Sequence, residues 1–126
     1  MSGGSPLLTV CMIVRDEAEG LPATLARLAA PVEEVVVVDT GSRDATREIA
    51  SAAGARVLDV PWRDDFAAAR NACLDEARGR WCLFLDADER VEPTTWPALS
   101  AYLTAHSKGL GRITVISETG DELASN

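Results

Sequence analysis

The chain has 126 residues, 47% hydrophobic and 25% charged, with a formal net charge of −8. That length and balance suit one globular domain with one core, and exclude a disordered or fibrous chain. The acidic surplus argues against a surface for nucleic acid or an anionic membrane, which needs a basic patch.

Residues 1–6 read as a tail with no basic stretch of a secretory signal, and residues 7–117 as the domain. Leu7 to Val14 is a β-rich apolar run and the first strand, ending at Arg15-Asp16-Glu17. Ala18 to Ala30 predicts a helix, with Leu21, Leu25 and Leu28 on one face and Pro22 in its first turn. Glu33 to Asp39 is a second strand, whose four successive valines imply burial on both faces. Gly41 permits a tight turn, and Ser42 or Asp44 can cap a helix over 45–53. Residues 55–60 alternate and give a third, more exposed strand. A helix over 66–77 follows, with Phe66, Ala69, Cys73 and Ala77 expected inward and Gly79 at its end.

The run Trp81-Cys82-Leu83-Phe84-Leu85 is a fourth buried strand, closed by Asp86-Ala87-Asp88-Glu89. A helix over 94–106 places Trp96, Leu99, Tyr102 and Leu103 on one side. A turn, a last strand over 113–117 and a fraying tail over 118–126 complete the chain. Alternating strands and helices of this kind predict an α/β layered fold with a mainly parallel sheet flanked by helices.

No apolar run approaches the roughly 20 residues that span a bilayer. The three cysteines lack Cys-x-x-Cys spacing, which fits free thiols in a reducing cytoplasm. The single histidine, His106, argues against a zinc site.

Three strands end in acids: Asp16 and Glu17, then Asp39, then Asp86 and Asp88. In a parallel sheet those ends share one rim, where open α/β sheets take their ligands. Gathered carboxylates repel, so the rim calls for a cation or hydrogen-bond donors. Asp86 and Asp88, one residue apart, can converge on a hard cation such as Mg2+ or Mn2+. Arg15 and Arg70 are the cationic side chains for the same crevice, and a guanidinium suits phosphate.

Four segments carry a resemblance. They are Cys-Met-Ile-Val-Arg-Asp-Glu (11–17), Val-Val-Val-Val-Asp-Thr-Gly-Ser-Arg-Asp-Ala-Thr (35–46), Asp-Asp-Phe-Ala-Ala-Ala-Arg-Asn (64–71) and Leu-Phe-Leu-Asp-Ala-Asp-Glu-Arg (83–90). In order and spacing the chain resembles the amino-terminal half of a family-2 glycosyltransferase. The branch it is most similar to is that of lipopolysaccharide-type glucosyltransferases.

The resemblance implies a Rossmann-like GT-A fold, truncated on its C-terminal side, and a UDP-sugar donor with a divalent metal. It implies that Asp39 bonds the uracil base and that Val14, Arg15 and Glu17 line the nucleoside pocket. Arg70 would reach the base or diphosphate, with Asn71 supporting that loop. Asp86 would sit near ribose and sugar and serve, with Asp88, the metal. The acceptor would be a saccharide or lipid-linked hydroxyl. The family's usual catalytic base has no counterpart assignable here, and Asp16 stands where many relatives carry Asn.

Other readings stay beside these. Asp39 can cap a turn, Asp44 a helix, and Arg70 can be a solvated helix residue. Glu89 reads as a surface or supporting acid, and the tryptophans as packing rather than sugar platforms. A haloacid-dehalogenase-type phosphotransferase would have its Asp-x-Asp after the first strand, not the fourth. A non-catalytic nucleotide-binding or assembly module that keeps the fold but lacks the acceptor half is the main alternative. The open edge of the sheet suggests a homodimer, and the chain is expected in the cytoplasm or peripheral to the inner membrane face.

Overall fold

In the computed structural model, which describes residues 8–89, 91–105, 113–116 and 122–125, the apolar runs become strands of one sheet. They are β1 (Leu8–Val14), β2 (Val32–Asp39), β3 (Arg56–Asp59) and β4 (Trp81–Phe84). All pair in parallel, in the order β3-β2-β1-β4. Between and after them run α1 (Leu21–Ala26), α2 (Thr46–Ala52), α3 (Phe66–Glu76) and α4 (Thr95–Ala105).

Alternation along β1 divides the core into two. Leu8, Val10, Met12 and Val14 join Leu21, Ala50, Trp96, Leu99 and Leu103, so α1, α2 and α4 cover that face. Cys11 joins Val36, Val38, Ala69 and Cys73 beneath α3 on the other. Burial on both faces is why the strands read as unbroken apolar runs. Ala69 and Cys73, four residues apart on one stripe of α3, are small enough to let the helix lie close to the sheet.

The route of the chain positions the site. From β1 it steps outward through β2 to β3, and α3 then carries it back to place β4 against the other side of β1. That reversal is a topological switch point, the place where open α/β sheets bind ligands at the carboxyl ends of their strands. Val14 stands opposite Asp39, and Leu85, just past β4, donates its N–H to the Cys11 carbonyl at 3.0 Å.

Four sequence expectations are corrected. The first helix is confined to Leu21–Ala26 rather than 18–30. The N–H groups of Glu17 and Ala18 go instead to Thr46 and Asp44, and at the far end Arg27 and Leu28 donate to carbonyls three residues back. Phe66 is 56% exposed rather than inward, because it opens α3 at the rim, before the helix meets the sheet. Tyr102 is 40% exposed although its ring meets Trp81 edge to face at 6.2 Å. Within the expected tail, β6 (Glu122–Ser125) pairs antiparallel with β5 (Ile113–Ile116) as a separate two-stranded sheet. Its sequence, Glu-Leu-Ala-Ser, has little strand propensity of its own, so a ladder partner decides its state. The tail over 1–6, His106 and the turn over 107–112 lie outside the described residues. No helix among the described residues is long and apolar enough to cross a membrane.

Candidate functional site

The rim at the switch point is built by three loops. The loop after β1 is tied to the loop after β2 through side-chain acceptors. Asp16 N–H donates to the Ser42 hydroxyl at 2.8 Å, Glu17 N–H to the Thr46 hydroxyl at 2.9 Å, and Ala18 N–H to Asp44 at 3.2 Å. In return Arg43 N–H donates to the Asp16 carboxylate at 2.7 Å. Asp16 adopts a left-handed backbone with φ of 52°, a conformation that Asp tolerates better than most residues. Ser42 therefore staples loops rather than capping α2. Asp44, one residue before the N-cap Ala45, accepts from Thr46 N–H at 2.9 Å in the first turn of α2.

Asp39 ends β2 and is fully buried. Its Oδ1 accepts from the N–H groups of Gly41 at 2.9 Å and Ser42 at 2.8 Å. Gly41 makes this tight turn with φ of +122°, a backbone that side chains disfavour. Arg47 stands 4.0 Å from Asp39 and 3.5 Å from Asp59. Burial pushes the Asp39 carboxyl up, but the Ser42 hydroxyl, the two N–H groups and Arg47 together hold it below the usual carboxylate range. Its Oδ2 is buried with no hydrogen-bond partner. A buried, unpartnered carboxylate oxygen is uncommon and costly.

The Asp-Ala-Asp segment lies on the other side of β1. Glu89 N–H donates to the Asp86 carbonyl at 3.0 Å, closing a turn that brings Glu89 back beside the two aspartates. One carboxylate oxygen from each of Asp86, Asp88 and Glu89 lies within 4.8 Å of the others. Three hard oxygen donors at this spacing fit a divalent cation such as Mg2+ or Mn2+. The sequence reads Glu89 as a surface or supporting acid, and the i, i+3 turn is the local signal of its proximity to Asp86. Glu17 faces the same group. Burial first, then the charges of Asp88, Asp86, Asp44 and Asp16, push its carboxyl up. A cation among them would relieve that repulsion.

The remaining sequence candidates divide. Val14 places its side chain in the core, and its carbonyl accepts both the N–H and the hydroxyl of Thr40 at 3.0 and 3.1 Å. Arg15 is exposed at the end of β1. Arg70 lays its guanidinium over the Phe84 ring, 4.4 Å from the centroid, so α3 holds a cation against the last residue of β4. Asn71 is exposed beside it. Trp81 and Trp96 are packed in the core, as expected, whereas Trp62 is 40% exposed.

A known family matches nearly the whole chain. The model for "Glycosyl transferase family 2" matches residues 9–125. The chain belongs to glycosyl transferase family 2. Among curated relatives of this family 2 chain, a TPR repeat-containing protein of Synechococcus elongatus is 51% identical over 96 residues. That alignment covers 76% of this chain and 24% of the relative. The lipopolysaccharide core biosynthesis glycosyltransferase LpsC of Rhizobium meliloti is 32% identical over 83 residues, 62% of this chain and 30% of LpsC.

Solved structures agree on the fold. Glucosyl-3-phosphoglycerate synthase of Mycobacterium tuberculosis, in complex with Mn2+, UDP and glucosyl-3-phosphoglycerate, superposes with a TM-score of 0.63 at 26% identity. The match takes in 78% of this chain and 39% of the synthase. S. aureus TarS matches with a TM-score of 0.66 at 23% identity, over 86% of this chain and 20% of TarS. The family 2 chain thus has the N-terminal part of the GT-A fold, and spans about a quarter of the first curated relative, 24%.

Proposed function

We propose that this chain is the donor-binding part of a glycosyltransferase that uses a UDP-sugar and a divalent cation. The observation that supports this most is the convergence of Asp86, Asp88 and Glu89 on the same rim as a buried Asp39 oxygen without a partner. In this reading Asp39 accepts a hydrogen bond from an N–H of the uracil base. Val14, Arg15 and Glu17 border the nucleoside from the end of β1. Arg70 serves the base or diphosphate, Asn71 supports that helix turn, and Asp86 lies nearest ribose and sugar.

Asp86 and Asp88, joined by Glu89, would hold Mg2+ or Mn2+. A cation held by these carboxylates would supply Lewis acidity toward the charge of a departing nucleoside diphosphate. The carboxylates fix where that charge can settle, and Arg70, stacked on Phe84, adds a guanidinium that suits phosphate oxygens. The acceptor is a hydroxyl of a saccharide or a lipid-linked sugar, activated by a general base outside the residues assigned here.

Calorimetric titration with UDP, with and without Mn2+, tests the reading. Tighter binding with the cation is expected, and Asp88→Ala should cancel that gain, about tenfold or more in affinity. Equal UDP affinity with and without Mn2+ in the unsubstituted protein would overturn the metal assignment. Release of UDP from UDP-glucose separates an enzyme from a non-catalytic nucleotide-binding module. Free cysteines suit the cytoplasm or its membrane face. The outer edge of β4, unpaired among the described residues, is where we place a homodimer contact.

A further inference from the structure

We infer that Thr24, a residue of α1 far from the acidic motif in sequence, is a positioning residue for the cation site. This rests on the donor-binding reading above only for the identity of the motif. Thr24 is 2% exposed, and its hydroxyl donates to the carbonyl of Ala87, 63 positions along the chain. The Gly20 carbonyl lies farther off, at 3.4 Å, and one hydroxyl proton serves one strong acceptor at a time.

Ala87 is the residue between the two aspartates. Its methyl group is buried in the core, 3% exposed, in the cluster that includes Leu21, while Asp86 and Asp88 are exposed. The loop thus turns one small side chain inward and two carboxylates outward. Anchoring the Ala87 carbonyl fixes the peptide plane that leads into Asp88. Anchoring its methyl group fixes the Cα between the two acids. The Leu85 N–H bond to Cys11 and the Glu89 N–H bond to Asp86, each 3.0 Å, secure the flanks. Asp86, Asp88 and Glu89 repel one another when no cation is present, so a loop held only at its flanks would splay them. The buried hydroxyl opposes that, and groups that orient metal ligands change cation affinity about 10–100-fold when removed.

Mn2+ alone, titrated into the protein and followed by electron paramagnetic resonance, tests this, with UDP calorimetry in parallel. Thr24→Val removes the hydroxyl at nearly constant volume; Thr24→Ser keeps it and removes the methyl group. Thr24→Val is expected to weaken Mn2+ about tenfold while UDP affinity without Mn2+ stays unchanged, and Thr24→Ser is expected to bind Mn2+ like the unsubstituted protein. Wild-type Mn2+ affinity in a folded Thr24→Val protein would overturn the inference. If the valine variant fails to fold, a serine variant with weakened Mn2+ binding would overturn it equally. So would an unsubstituted protein that takes up no Mn2+. An unsubstituted protein that binds Mn2+ but not UDP would remove the donor reading and leave this inference standing.

Discussion

Gly79→Ala is expected to destabilise the fold by about 3 kcal/mol or more, an overpacking cost at the top of the usual range. For a domain of this size that lowers the melting temperature by about 10–15 °C. The reason is a close approach of backbones. A Cβ at position 79 would stand 2.5 Å from the Thr9 hydroxyl oxygen, 2.7 Å from the Thr9 nitrogen and 2.9 Å from the Trp81 carbonyl oxygen. Two of these are main-chain atoms of β1 and β4, which cannot swing aside. Gly79 N–H also donates to the Thr9 hydroxyl at 2.9 Å, which in turn donates to Glu34 at 2.8 Å. Relief of the clash therefore separates a buried, fully bonded group. Thermal unfolding followed by circular dichroism checks this, and a melting point within about 2 °C of the parent would show that the strand ends yield more easily than their packing implies.

Asp39 gives the second large effect, and its two substitutions part stability from binding. Asp39→Ala leaves the N–H groups of Gly41 and Ser42 without their acceptor, a loss of about 2–3 kcal/mol where the acceptor is charged. Asp39→Asn keeps an oxygen for those donors but turns the other atom of the carboxylate into a donor. A base N–H then meets another N–H, so UDP affinity is expected to fall at least about tenfold, or 1.4 kcal/mol, with less lost in stability than in the alanine variant. Unchanged UDP affinity in Asp39→Asn would remove Asp39 from the base site.

The acid limb of stability follows from the same carboxylate. Its folded value is held below the unfolded value of about 3.9. The stabilisation is therefore present above about pH 4 and lost as pH falls through the lower folded value. The urea midpoint of the parent should drop there more steeply than that of Asp39→Asn.

Much of this site was legible in the sequence because parallel strands buried on both faces announce themselves, and because each ends abruptly. Once Val35 to Val38 and Trp81 to Phe84 are strands, Asp39 and Asp86 must lie at or just past their ends, on one rim. What stayed hidden depended on contacts between loops. Ser42 reads as a helix cap, since nothing local says that its hydroxyl serves the N–H of Asp16, 26 residues away. The length of α1 was overestimated for the same reason: its periodic leucines extend past the point where side chains elsewhere take the backbone donors. The approach of Glu89 to Asp86 depends on a turn, not on strand alternation. Thr24 gave no signal at all, as a threonine on an apolar helix face resembles any other small residue until its distant acceptor is known.

The distribution of indoles has a practical consequence. Trp81 and Trp96 are sealed in the core, 6% and 3% exposed, whereas Trp62 is open to water at 40% and bonded to Asp64 at 3.0 Å. Trp62 follows β3, whose continuation at Val60 bonds the carbonyl of Asp39 at 2.8 Å. Buried indoles emit to the blue of exposed ones, so the core pair is expected to register unfolding. Collisional quenchers are expected to reach Trp62 first, so one sample can separate global integrity from changes around the loop after β3 without any attached dye.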